Sequence, residues 1–156
     1  MAELKLIALD ADDLAVISAH LQDAVLKVDD LAYLPREKRF VAIGNRFDWI
    51  DALSEDNAST QSYARRRSAL RFERVLGAKV QGIDLANKST VLSLLAISFE
   101  PGEAPEGKVT LHFAEGAAIQ LHVECIEAEL HDLGPVWRVR SRPQHPTDDR
   151  APAQDK

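Results

Sequence analysis

The sequence predicts an α+β domain, a twisted and mostly antiparallel sheet with two helices, and three observations carry that prediction. Apolar and polar residues alternate at a period of two through much of residues 25–47, 68–76 and 109–123, the spacing of half-buried strands. Two other stretches, 11–23 and 123–133, place apolar residues three or four apart, as an amphipathic helix does. Several strand signals come in pairs around short turns, which makes antiparallel hairpins the natural connection. With 156 residues and 46% hydrophobic composition, the chain can bury its own core without a metal or disulfide.

Each element has its own reason. Leu4-Lys5-Leu6-Ile7-Ala8-Leu9 is short and apolar on both sides, a buried strand. Asp10 follows as a helix N-cap, and Asp12 and Asp13 place negative charge at the positive end of the helix over 11–23, whose stripe is Leu14, Ile17, Leu21 and Ala24. Capping accounts for these three aspartates without catalysis. Residues 25–34 read as one strand bulged at Asp29-Asp30, 35–38 as a turn, and 39–47 as the return strand. Residues 54–61 have no apolar anchor and read as a loop. A strand over 68–76 follows with Leu70, Phe72 and Leu76 inward, and Gly77 or Gly82 marks a bulge. Residues 91–99, apolar on both faces, suit a central strand.

The clearest local pattern is a hairpin. Pairing 109–114 with 118–123 across Glu115-Gly116-Ala117 puts Val109 against Val123, Leu111 against Leu121 and Phe113 against Ile119, with Thr110, His112, Gln120 and His122 on the other side. A second helix then carries Val123, Ile126, Leu130 and Leu133 and stops at Gly134-Pro135, before a last strand over 136–140. Residues 1–142 therefore read as one domain and 143–156 as a disordered tail.

Composition excludes several functions. A net charge of −6 argues against a nucleic-acid coat, whose affinity comes from phosphate-neutralising Lys and Arg. The N-terminus has no signal-peptide pattern, and no apolar run reaches the ~18 residues of a membrane span, so the expected location is the cytoplasm. The single cysteine, Cys125, reads as a small buried hydrophobe beside the second helix. Nucleophile elbow, Walker loop and dinucleotide fingerprint motifs are all missing from the sequence, so neither a cofactor nor a metal is expected.

Two constellations remain. His112 and His122 fall diagonally on the polar side of the hairpin, and Glu127 and His131 are spaced i,i+4 on the second helix; each is a pair only, short of a metal site. A histidine with a carboxylate neighbour is the alternative reading, a small enzyme using general acid–base chemistry. The other constellation is basic: Arg65, Arg66, Arg67, Arg71 and Arg74 against one glutamate, Glu73, with Arg46 able to join from a neighbouring strand. Guanidinium groups suit a carboxylate or phosphate, so Arg65, Arg66, Arg67, Arg71 and Arg46 are the candidate binding residues for an acidic protein or small anion. The competing reading is a strand edge whose cations block unwanted pairing.

Residues 4–25, Asn45-Arg46-Phe47-Asp48-Trp49, residues 65–75, Ile97-Ser98-Phe99-Glu100-Pro101-Gly102-Glu103-Ala104-Pro105 and residues 123–137 together resemble a family of small alphaproteobacterial proteins known only as domain-of-unknown-function family 2948. The resemblance implies no activity, cofactor or site residue. The order of elements, ending in a hairpin and a capping helix, also resembles a pleckstrin-homology-like half-barrel. Together these readings favour a non-enzymatic binding or adaptor module built on the arginine-rich strand.

Overall fold

A computed structural model of the chain describes residues 3–47, 63–134 and 137–139, with residues 63, 64 and 137–139 described by their backbone alone. The elements run β1 (Lys5–Ala8), α1 (Ala11–His20), β2 (Val25–Leu34), β3 (Arg39–Phe47), β4 (Tyr63–Phe72), β5 (Val75–Gln81), β6 (Val91–Pro101), β7 (Gly107–Phe113), β8 (Ala118–Val123), β9 (Ala128–Asp132) and β10 (Trp137–Val139). The readings placed on Asp48 and Trp49, on loop 54–61 and on the tail 143–156 lie outside the described residues.

All ten strands join one antiparallel sheet in the order β1-β9-β4-β3-β2-β6-β7-β8-β5, with β10 also pairing β4. The sheet is open: β1 and β5 are the ends of this path. Its two parts share β6, which pairs β2 through Val91, Leu92 and Ser93 and pairs β7 through most of its remaining length. The core is made by the inward residues of both parts, among them Phe72, Leu94, Leu111, Ile119, Leu121 and Leu130, with Leu14 and Ile17 of α1 packed into it.

Much of the first half forms as its local chemistry requires. The Asp10 carboxylate accepts from the Asp13 amide at 2.8 Å, and Asp13 accepts in return from the Leu9 amide at 3.1 Å, so both ends of the cap are satisfied. The helix stops at His20, short of the predicted residue 23, where Asp23 turns left-handed (φ 67°) and the chain enters β2. The β2–β3 register shifts between Leu26 and Leu31, the bulge read at Asp29-Asp30. Its cause is visible: the Val28 and Asp29 amides donate to the Thr90 and Lys88 carbonyls.

Three expectations are corrected. Strand 68–76 is broken at Glu73-Arg74, where Arg74 has φ 63°; Val75 becomes the fully buried residue and Leu76 stands 39% exposed. The β7–β8 hairpin has the predicted faces and a three-residue loop, but that loop is Ala114-Glu115-Gly116 and the register is displaced by two: Val109 faces Leu121 and Leu111 faces Ile119. A slip of two leaves every side chain on its side of the sheet. Residues 115 and 116 adopt φ 66° and 79°, which puts glycine at the last loop position, where a left-handed residue is needed.

The third correction is the largest. The second helix does not form; residues 128–132 are β9, held between β1 and β4. Ala128, Leu130 and Asp132 point inward, with Glu129 and His131 on the other side, an alternation that the inward aspartate disguises in the sequence. α1 is therefore the one α-helix among the described residues. Among the described residues no helix follows the β7–β8 hairpin, and the sheet is open, not closed into a barrel. None of the described helices is long and apolar enough to cross a membrane.

Candidate functional site

The arginine-rich segment is β4, an interior strand with β3 on one side and β9 on the other. The edge-protection reading of these cations is therefore corrected: they have strand neighbours on both sides. Strand alternation divides them. Arg66, Ser68, Leu70 and Phe72 face the core, whereas Arg65, Arg67, Ala69 and Arg71 face outward, and Arg46, directly opposite Arg66 on β3, shares the inner side. The five candidate arginines thus belong to two surfaces of the sheet.

On the outer side the guanidinium groups meet glutamates from neighbouring strands. Arg71 donates to Glu129 at 2.6 Å and lies 2.9 Å from Glu73. Glu73 in turn accepts from Arg39 at 2.9 Å. Lys5 approaches Glu129 at 3.9 Å, completing a row of alternating charge from β1 across β9 and β4 to β3. Cross-strand pairs of this kind contribute a few tenths to about 1 kcal/mol each. Arg67 stands apart: its side chain is 47% exposed and its carboxylate neighbour among the described residues, Asp30, lies at the 4.0 Å limit. Arg65 is buried, its guanidinium carbon 5.6 Å from the centre of the Phe47 ring.

On the inner side the sequence reading missed the central residue, Asp132. Its carboxylate accepts two hydrogen bonds from Arg46, at 3.0 and 3.1 Å, one from the Ser68 hydroxyl at 2.6 Å and one from the Leu4 amide at 2.8 Å. The Arg66 Nε lies 3.7 Å away, an ionic contact too long for a hydrogen bond. Arg46, Arg66, Ser68 and Asp132 are all buried. Burial alone pushes the Asp132 carboxyl upward, but the hydrogen bonds from Arg46, Ser68 and Leu4, with the Arg46 charge, outweigh it and hold the group below the ordinary carboxylate range. One signal for it was present in the sequence: Ala128, Leu130 and Asp132 share a period of two, and an aspartate on an apolar strand side requires a cation opposite.

The histidines are not brought together. The observed register puts His112 opposite Ala118 and His122 opposite Lys108, so they are no longer diagonal neighbours. The His112 Nε2 and the Ser98 hydroxyl are 2.8 Å apart, and the His122 Nε2 lies 3.5 Å from Glu106 beside an open groove lined by Glu100 and Lys108. Glu127 lies before β9 and contacts Arg74, whereas His131 belongs to β9 and contacts Glu129, so the i,i+4 pair does not exist. Cys125 is part-exposed in the β8–β9 connection, not at a helix start. Among the described residues no three His, Cys, Asp or Glu side chains are grouped to hold a metal.

Fold and side chains together define a mostly antiparallel open-sheet domain with an ionic cluster sealed into one part of its sheet. Residues 4–145 match the family described as protein of unknown function, DUF2948, and the chain belongs to that family. No curated protein and no solved structure matches it.

Proposed function

We propose that this domain is a non-enzymatic binding module that takes an acidic protein segment or a small anion on the outer side of β4. One observation carries the reading: Arg67 projects half-exposed from an interior strand, and its carboxylate neighbour among the described residues, Asp30, lies only at 4.0 Å. A planar guanidinium so placed can offer two parallel N–H donors to a carboxylate or phosphate. Arg71 lies on the same side four residues along, already engaged by Glu73 and Glu129, and sets the outer limit of the surface. Arg46 and Arg66 support it from beneath, through the buried cluster that fixes β3 against β4. Acid–base catalysis has less support, because His112 and His122 face an open sheet surface four positions out of register with each other.

The test uses a glutamate-rich peptide and inorganic phosphate as probes, followed by amide chemical shifts. The unaltered chain should show shifts confined to Arg67 and its neighbours on β3 and β4. Arg67→Glu should weaken binding at least tenfold while changing stability by no more than about 0.5 kcal/mol, as expected of an exposed position. Absence of binding to both probes, or equal binding by the variant, overturns the proposal.

A further inference from the structure

The buried carboxylate does more than neutralise arginines. From β9 it also ties down the residue just before β1: Asp132 Oδ2 accepts from the Leu4 amide at 2.8 Å, and the Asp132 amide donates to the Leu4 carbonyl at 3.0 Å. The same carboxylate is fixed by Arg46 of β3 and by Ser68 of β4, with Arg66 adjacent. Three strands thus converge on the amide at the start of β1.

Apart from its ladder with β9, β1 has few buried apolar contacts. Of its four residues only Ala8 is fully buried; Leu6 is partly buried, and Ile7 is 58% exposed. Among the described residues it pairs with β9 alone and ends the path of the sheet. The pair formed by Leu4 and Asp132 fixes the alternation, so Leu6 and Ala8 direct their backbone groups to β9 and Lys5 and Ile7 direct theirs away from it. The Lys5–Glu129 contact, at 3.9 Å with Lys5 two-thirds exposed, contributes little. The helix that follows is anchored separately through Leu14 and Ile17. Elements with few buried apolar contacts open at free energies well below that of global unfolding.

We infer that Asp132 is a latch: it holds β1 at the sheet edge, and when the Leu4–Asp132 contact is removed β1 separates from β9 as a unit while α1 and the rest of the sheet stay in place. The separation exposes the β1-facing side of β9 as a new strand edge. The latch contact lies on the inner side of the sheet, whereas the Arg67 guanidinium stands on the outer side.

Leu4→Pro tests this without disturbing the buried charges. Proline removes the amide donor, and the position just before the first strand residue tolerates it. Leu4→Ala is its control, keeping the amide and shortening the same side chain. Residue-resolved hydrogen exchange on the full chain should show Leu6 and Ala8 exchanging at least tenfold faster in Leu4→Pro than in Leu4→Ala. Leu111 and Leu121, in β7 and β8, should differ by less than twofold. Equal exchange at Leu6 and Ala8 in the two variants overturns the latch. So does faster exchange spread equally into β7 and β8, or a Leu4→Pro chain that no longer folds cooperatively, because either outcome makes β1 inseparable from the whole.

Discussion

A buried carboxylate with four hydrogen bonds sets its own stability rules. Asp132 offsets the desolvation of Arg46, so removing it leaves that buried guanidinium facing an empty position. Breaking one side of such a buried ion pair costs about 3–5 kcal/mol, and Asp132→Ala should lose that much in urea unfolding. Ser68→Ala removes one hydrogen bond to an ionised acceptor at 2.6 Å and should lose about 1.5–3 kcal/mol. The pH dependence follows from the direction of the shift. The folded-state pKa lies below the ordinary value, so the unfolded chain binds the proton first as pH falls. The contribution of Asp132 is complete above the unfolded pKa of ~3.9 and is lost as pH drops through the lower folded value. Urea midpoints of the natural chain and Asp132→Asn should therefore differ widely at pH 7 and lie closer together at pH 3, below the unfolded pKa. A gap unchanged between the two would show that the carboxylate is not ionised in the fold.

Strands and turns show what local sequence can and cannot reveal. The β2–β3 hairpin, its bulge and the capped start of α1 depend on near neighbours, and each is legible from period and cap residues. β9 is not legible in that way. Its Ala-Glu-Leu-His-Asp sequence favours a helix locally, and only the slot between β1 and β4, with Arg46 waiting for an acid, makes it a strand. The arginines of β4 are readable as a cluster, but their division into two surfaces by strand alternation needs the strand to begin at Tyr63 and not at Ser68. A second element-level constraint lies at the start of β7. A Cβ on Gly107 would stand 2.4 Å from Phe99 Cζ and 2.7 Å from the Glu100 carbonyl oxygen. Gly107→Ala must therefore displace the ring or the β6 backbone, an overpacking that costs about 1–3 kcal/mol. Its thermal midpoint should fall accordingly, whereas Gly77→Ala, with no atom within 4 Å, should unfold near the natural temperature.

Over the whole molecule, the two ends of the described chain are interleaved. β1 comes first in sequence, yet its sheet partner is β9, and β9 in turn separates β1 from β4. β10 then runs along β4 beyond β9, opposite Arg65, Ala64 and Tyr63. The core therefore cannot be divided at a midpoint: Leu130 and Ala128, supplied from the end of the chain, are buried in the same cluster as Leu14, Phe40 and Phe72. Removing residues 124–156 strips β1 of its strand partner, turns β4 into an open edge and leaves Arg46 and Arg66 without Asp132. The loss combines an exposed apolar surface with a buried Arg46 guanidinium deprived of Asp132, the latter alone about 3–5 kcal/mol against the 5–15 kcal/mol that separates a folded domain from its unfolded chain. A chain ending at residue 123 should show no cooperative thermal transition by circular dichroism, although it keeps α1 and eight of the ten strands. A chain ending at residue 139, which retains β9 and β10, should melt as one cooperative unit. Cooperative melting of the 1–123 chain would mean that the β5–β8 part of the sheet folds independently of the β1-β9-β4 part.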